Sequence, residues 1–401
     1  MSIAVGRFAR STLIILLITV VIAMVADQIV NRLGLVDNSG LYAHPPNFSQ
    51  WRHNQEFNYL FQTNDAGLRE APLPRTKPPG ETRIFVVGDS FTEGVGIDNE
   101  ARFTNRLTAN LSASSGHTIR FINGGLGGTG PRAYLDVAQH ISPSYDIDGL
   151  LVCVYANDVS NMSHSRWSWY QRELRTFFPT IGTLIKKIKR DRDHQTTTEA
   201  QTSDFVSQIA NHAEKKGIAV ERIEHWRANL PPDLLKAAQQ QRLNPGILAY
   251  PLLKPNYYTH ALDGAGSDGQ GKMTNYFSAL DALVQIGQAQ GIPVAFVYIP
   301  SAFQYDPTRH QSGEPWAVLG GKVRAEWLRE DALIQQRLKA WSTQRQVAFL
   351  DLTPHFRQAV QEGAARMTFE IDDHWNSKGH HLAATVMGDW LRQETVFDDV
   401  L

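Results

Sequence analysis

Five short apolar runs constrain this chain more than any other feature: residues 83–87, 118–122, 149–154, 294–299 and 347–350. Each is too short for a stable helix and gives way within a few residues to glycine, proline or polar side chains. Consecutive apolar residues, as over 84–87, 150–154 and 294–299, suit strands buried on both faces. Between them lie stretches of helical period: Phe103, Leu107 and Leu111; a helix over about 133–141; Phe277, Leu280, Val284 and Ile286; and Trp327, Ile334, Leu338 and Trp341. After the last run, Leu382, Val386 and Trp390 form one stripe, with Ala383, Met387 and Leu391 beside it. Strands that alternate with helices in this way predict a parallel sheet covered on both faces, an α/β fold of about five strands.

The rhythm does not extend over the whole chain. Residues 34–81 show little periodicity and are punctuated by Pro45-Pro46, Pro72, Pro74 and Pro78-Pro79-Gly80. They read as a linker and N-terminal extension, ordered in part by Trp51, Phe57, Tyr59, Leu60 and Phe61. Alternation stops again over 163–274, which reads as a mostly helical insertion on the loop side of the sheet. The α/β body then comprises 82–162 and 275–395. The insertion carries Trp167, Trp169 and Tyr170, a sugar platform or simple packing, and a basic stretch over 186–192. Beside Phe177, Phe178, Ile181, Leu184 and Ile185 that stretch suits anionic lipid or an acidic glycan, although a solvated helix face is the simpler reading.

At the amino terminus, residues 1–33 hold Arg7 and Arg10 and then an apolar run over 12–26 that Ile29-Val30 extends. With its flanks the run approaches the roughly 20 residues a spanning helix needs. An uncleaved signal anchor fits better than a cleaved signal peptide, because cleavage after Ala26 would put the bulky Met24 at the minus-three position. Cleavage after Ala23, with Val21 there, is the alternative. Either way the arginines mark the cytoplasmic end and the body is extracytoplasmic. A formal net charge of -1 argues against nucleic acid as a partner. The single cysteine, Cys153, lies inside an apolar run, which excludes an internal disulfide and argues against a cysteine metal cluster or nucleophile.

Chemistry-bearing residues gather where the runs end. Gly88-Asp89-Ser90-Phe91-Thr92-Glu93-Gly94 follows the first run and opens onto a helix. A serine on such a turn projects its hydroxyl from the carboxyl end of the sheet, as a nucleophile requires, although Ser and Asp are also ordinary helix caps. The second run leads into Asn123 and five glycines within eight residues, a loop whose amides can approach a ligand closely. The third leads to Asn157-Asp158. Before the final helix stands Asp372-Asp373-His374-Trp375-Asn376, where a histidine beside carboxylates can act as a base oriented by an acid, or the cluster can simply cap the helix through Asn376. His380 and His381 follow closely, but they read as first-turn helix residues rather than metal ligands, and neither a metal nor a cofactor is expected.

Taken in order, Gly88-Asp89-Ser90, Asn123 with the glycines to Gly128, Asn157-Asp158 and Asp372-Asp373-His374 resemble the four blocks of the SGNH, or GDSL-like, hydrolase superfamily. The resemblance spans about 83–161 and 276–391 and leaves the apolar N-terminal segment and the insertion outside. It implies a flavodoxin-like three-layer sandwich, Ser90 as nucleophile and His374 as its base. It also implies an oxyanion hole formed by the Ser90 and Gly128 amides and the Asn157 side chain, with Asn123 bracing the loop.

Three positions depart from the pattern. Phe91 replaces the usual leucine, and Tyr155 stands where the third block has glycine, which predicts a narrower mouth near Asn157. The family acid commonly lies three residues before the histidine, where this chain has Ile371. Asp372 is therefore the acid carried over, with Asp373 in reserve. The spacing Asp-x-His-Trp-Asn resembles a branch acting on O-acetyl groups of cell-surface polysaccharides. The implied function is a membrane-tethered serine esterase acting on an acylated carbohydrate or lipid, above all an O-acetyl ester. The alternatives are an O-acyltransferase using the same acyl-enzyme and a non-catalytic glycan-binding protein.

Overall fold

The computed structural model describes residues 2–33, 42–53, 56–162, 177–178, 180–181, 205–240, 245–311, 323–329, 332–394 and 397. Trp167, Trp169, Tyr170, Leu184, Ile185 and the basic stretch 186–192 lie outside the described residues. The chain divides into two compact units, residues 1–42 with 166–201 and residues 43–165 with 202–401.

In the first unit, a helix Ser2–Arg32 contains the apolar segment Thr12–Val30, of which 6% is buried. At 1.5 Å per residue it is long enough and apolar enough to cross a bilayer. Asp27, the only charged residue in that segment, accepts hydrogen bonds from the amides of Thr180 at 2.9 Å and Ile181 at 3.1 Å. Gln28 Nε2 donates to the Phe177 carbonyl at 3.4 Å.

The second unit holds a five-stranded parallel sheet and a two-stranded antiparallel one. The pair is β1 Ser49–His53 and β2 Asn58–Gln62. The sheet consists of β3 Glu81–Gly88, β4 Thr118–Gly125, β5 Gly149–Tyr155, β6 Val294–Ile299 and β7 Ala348–Asp351, in the order β4-β3-β5-β6-β7. Every expected run is a strand. Ile84 to Val87 and Phe296 to Ile299 are completely buried, each such side chain contributing about 1.5–3 kcal/mol. Right-handed crossovers put the helices on opposite faces as the chain moves first to one side of β3 and then to the other. Helix Phe103–Ser115 packs with Ser377–Gln393 in one layer, and Pro131–His140 packs with Gly266–Gln290 in the other. The result is the expected three-layer α/β sandwich.

Register sets up the site. Gly88 at the end of β3 pairs with Gly125 of β4 on one side and with Cys153 of β5 on the other. The loops after these strands therefore leave the sheet at the same level, on either side of the central turn, where open α/β sheets place their ligands.

The described residues within 43–70 pack into the second unit rather than running as an open linker. Tyr59 and Phe61 are buried, whereas Trp51, expected to help order the segment, is 61% exposed. The insertion is helical among its described residues, with Phe205–Lys215 and Val220–Ala228 enclosing a small core of Ala210, Ala213, Ile223, Trp226 and Leu252. The helix that restores the α/β rhythm, Gly266–Gln290, starts before the resumption expected at residue 275.

Candidate active site

The serine turn is built from steric necessity. A Cβ at Gly88 would lie 2.0 Å from Thr92 Oγ1 and 2.9 Å from the Cys153 carbonyl oxygen, so only glycine fits the end of β3. Gly94, at φ 81°, closes the one-turn helix Ser90–Glu93 in the left-handed region. Asp89 is the cap of that helix, its carboxylate accepting from the Phe91 amide at 2.9 Å. Ser90 is thus released from capping, and its Oγ lies 2.7 Å from His374 Nε2. As the first residue of the helix, Ser90 also has a backbone amide with no intrahelical acceptor.

The other ring nitrogen, His374 Nδ1, lies 2.5 Å from Asp372 Oδ1, which also accepts from the His374 amide at 3.0 Å. Asp373 points elsewhere: its Oδ1 is 3.9 Å from the buried Arg309 guanidinium, and its Oδ2 is buried without a hydrogen-bond partner. The neighbouring carboxyls are electrostatically distinct. Burial pushes Asp372 up, but the charge and hydrogen bonds of His374 outweigh it and hold Asp372 below the usual carboxylate range. Burial dominates at Asp373 and raises it to about 6. At His374 burial favours the neutral ring, yet Asp372, followed by Asp89 and Asp373, raises it to about 9. Arg309 supports the loop by donating to the carbonyls of Phe369 at 2.7 Å and Glu370 at 3.1 Å, and to the Thr368 hydroxyl. Asn376 caps the final helix, accepting from Lys378 at 2.9 Å and Gly379 at 3.3 Å.

The two flanking loops carry the remaining candidates. Asn123 is completely buried; it donates to the Thr92 carbonyl at 2.5 Å and accepts from the Gly125 amide at 3.0 Å, so it ties the glycine loop to the serine turn. The Gly127 amide donates to Glu93 Oε1 at 2.9 Å, which in turn meets His44 Nε2 at 2.6 Å. Burial would raise Glu93, but His44 and the Gly127 amide lower it to about 2. Gly128 takes φ 71° with open space where a Cβ would be, which leaves its loop face uncovered. Asn157 Oδ1 accepts from Asn161 Nδ2 at 3.0 Å, and Asn161 Oδ1 accepts from the Tyr257 hydroxyl at 2.8 Å. With its oxygen engaged, Asn157 has its Nδ2 left to donate. Tyr155, expected to narrow the mouth, is buried and stacks on Phe91 at 4.2 Å.

No group of three or more His, Cys, Asp or Glu side chains is arranged to hold a metal ion among the described residues. His380 is buried and its Nδ1 accepts from the Phe103 amide at 3.3 Å, so burial keeps it neutral within the fold.

A serine, a histidine and a carboxylate in hydrogen-bonded line, beside two loops with free donors, can support acyl transfer. No family model and no curated protein matches the chain. The similar solved structures include G-D-S-L lipolytic proteins and an acetyl xylan esterase. A member of the lipolytic G-D-S-L family from Veillonella parvula is 10% identical, with 78% of this chain and 100% of that one covered at a TM-score of 0.35. The acetyl xylan esterase AlAXEase is 14% identical, with 77% and 98% covered at 0.36. A GDSL-like lipase from Bacteroides thetaiotaomicron is 9% identical, with 78% and 88% covered at 0.32. Likeness at this level transfers no activity, and the reading of the site rests on its own geometry.

Sequence reasoning named Ser90, His374, Asp372, Gly128 and Asn157 but missed Arg309, Glu93, Asn161 and Tyr257. Glu93 lay within the serine turn and was legible as a buried acid only through His44, which is 49 residues away.

Proposed function

We propose that this chain is a serine esterase, tethered by the helix over Thr12–Val30 with its body outside the cytoplasm. Its substrates are O-acyl esters of a carbohydrate or lipid, above all O-acetyl esters. The observation that carries the reading is the continuous line from Ser90 Oγ to His374 Nε2 at 2.7 Å and from His374 Nδ1 to Asp372 at 2.5 Å.

In this reading, His374 Nε2 takes the hydroxyl proton as Ser90 Oγ forms its bond to the substrate carbonyl carbon, and Asp372 stabilises the imidazolium. The oxyanion accepts from the amides of Ser90 and Gly128 and from Asn157 Nδ2, each donor being worth about 3 kcal/mol. His374 then returns the proton to the departing alkoxyl oxygen, leaving an acyl-Ser90. Water, deprotonated by the same ring, attacks that ester and releases a carboxylic acid and free Ser90. An O-acyltransferase differs only in the last acceptor, a sugar hydroxyl replacing water. A purely glycan-binding role gives no reason for a half-buried imidazole to hold a serine hydroxyl at 2.7 Å.

The test is hydrolysis of aryl acetates by the purified protein and its Ser90→Ala variant. The proposal expects turnover that the substitution abolishes. No turnover by the wild type on short or long acyl chains would sink it, and acetyl transfer to an added glycan would favour the transferase.

A further inference from the structure

His44, Glu56 and Arg69, N-terminal to the sheet, grip both halves of the proposed machinery. On the serine side, His44 meets Glu93, and the buried Arg69 donates to the carbonyls of Glu93 at 2.9 Å and Ile97 at 2.6 Å, and to that of Gly94. On the histidine side the contact is made by Glu56. Its Oε1 accepts from the amides of Glu370 and Ile371, the latter at 2.9 Å, and its Oε2 accepts from the amide of Asp372 at 2.8 Å. Three successive amides converging on one carboxylate form an anion nest. Next to it Phe57 packs on Phe369 with ring centroids 5.1 Å apart.

The loop needs such support. Residues 370–373 belong to neither helix nor strand, so no ladder fixes their peptide planes. Arg309 takes the carbonyls on one side of this stretch, and Glu56 takes the amides on the other. The bond to the Asp372 amide fixes the backbone from which the Asp372 side chain reaches His374 Nδ1.

We propose that Glu56 is a positioning residue: its carboxylate, seated on the amides of Glu370, Ile371 and Asp372, aligns Asp372 with His374. The proposal deepens the esterase reading and rests on it. It makes the segment that reads as a linker in the sequence part of the site's scaffold.

The test compares the full-length protein with Glu56→Ala, which removes both acceptors, and Glu56→Gln, which keeps the shape and one acceptor oxygen and so guards against a folding failure. Hydrogen exchange over residues 370–372 should quicken in Glu56→Ala and less so in Glu56→Gln. On an aryl acetate, kcat/KM should fall by about 10- to 100-fold in Glu56→Ala, less in Glu56→Gln, with KM within about threefold. The acid limb of the kcat/KM profile should also move to lower pH. Of the groups facing the ring, Asp372 raises its pKa more than Asp89 and Asp373 do, and it would no longer be held there. Unchanged exchange at 370–372 in Glu56→Ala overturns the proposal. So does an activity loss that titrates as fewer active sites with an unmoved acid limb. If the wild type hydrolyses no ester, the esterase reading fails, and hydrogen exchange alone decides whether Glu56 holds the loop.

Discussion

Replacing Asp372 by Asn separates the two adjacent carboxyls and puts a magnitude on the pair. His374 is raised from 6.5 to about 9, with Asp372 the largest favourable cause. At 1.36 kcal/mol per unit this corresponds to about 3 kcal/mol in favour of the imidazolium. Because the His374 side chain is 25% exposed, solvent screening trims the figure to roughly 2–3 kcal/mol. The imidazolium forms in the transition state from a neutral ring, so above the acid limb Asp372→Asn should lower kcat/KM by about 30- to 150-fold. The direction of the pH effect follows from the same shift. The ring must be neutral to take the Ser90 proton, and its raised pKa keeps it protonated to higher pH, so wild-type kcat/KM should climb through an alkaline acid limb. Asp372→Asn should move that limb down by about one unit or more. Rates on an aryl acetate from about pH 5 to about pH 10 supply both numbers. Asp373→Asn, which removes a carboxyl raised to about 6 and not bonded to the ring, should stay within about threefold. A larger loss in Asp373→Asn than in Asp372→Asn, or an unmoved limb in the latter, refutes the assignment of the acid.

Two further outcomes follow from other parts of the molecule. Tyr257→Phe removes the donor to Asn161 and loosens the amide of Asn157; kcat should fall by about fivefold with KM nearly unchanged, whereas a KM effect alone would mean that the insertion serves substrate binding. The full-length protein should stay with membranes through an alkaline carbonate wash and keep its N-terminal helix, and a mature amino terminus mapped to residues 24–27 would refute the anchor.

The sheet was legible because its central strands are runs of consecutive apolar residues, and the four candidate loops were legible because each is a local motif at a strand end or a helix start. Other features had no local signature. Two adjacent aspartates before a histidine look alike in one dimension; only the folded loop sends Asp372 to the ring and Asp373 toward Arg309. Glu56 reaches its three amides across more than 300 residues of chain, with partners at separations of 314, 315 and 316. The start of helix Gly266–Gln290 was hidden by Gly266, Gly269 and Gly271, poor helix formers individually. At Gly269 tertiary fit overrides propensity, since a Cβ there would come within 2.7 Å of the Gly264 backbone.

The central claim is that Ser90 is a nucleophile activated by His374. Intact-mass analysis after treatment with a serine-directed fluorophosphonate tests it without knowledge of the natural substrate. One adduct per chain should form and map to Ser90, be absent from Ser90→Ala, and form about 100-fold more slowly in His374→Ala. No adduct on the wild type, or one that persists in Ser90→Ala, would contradict the account.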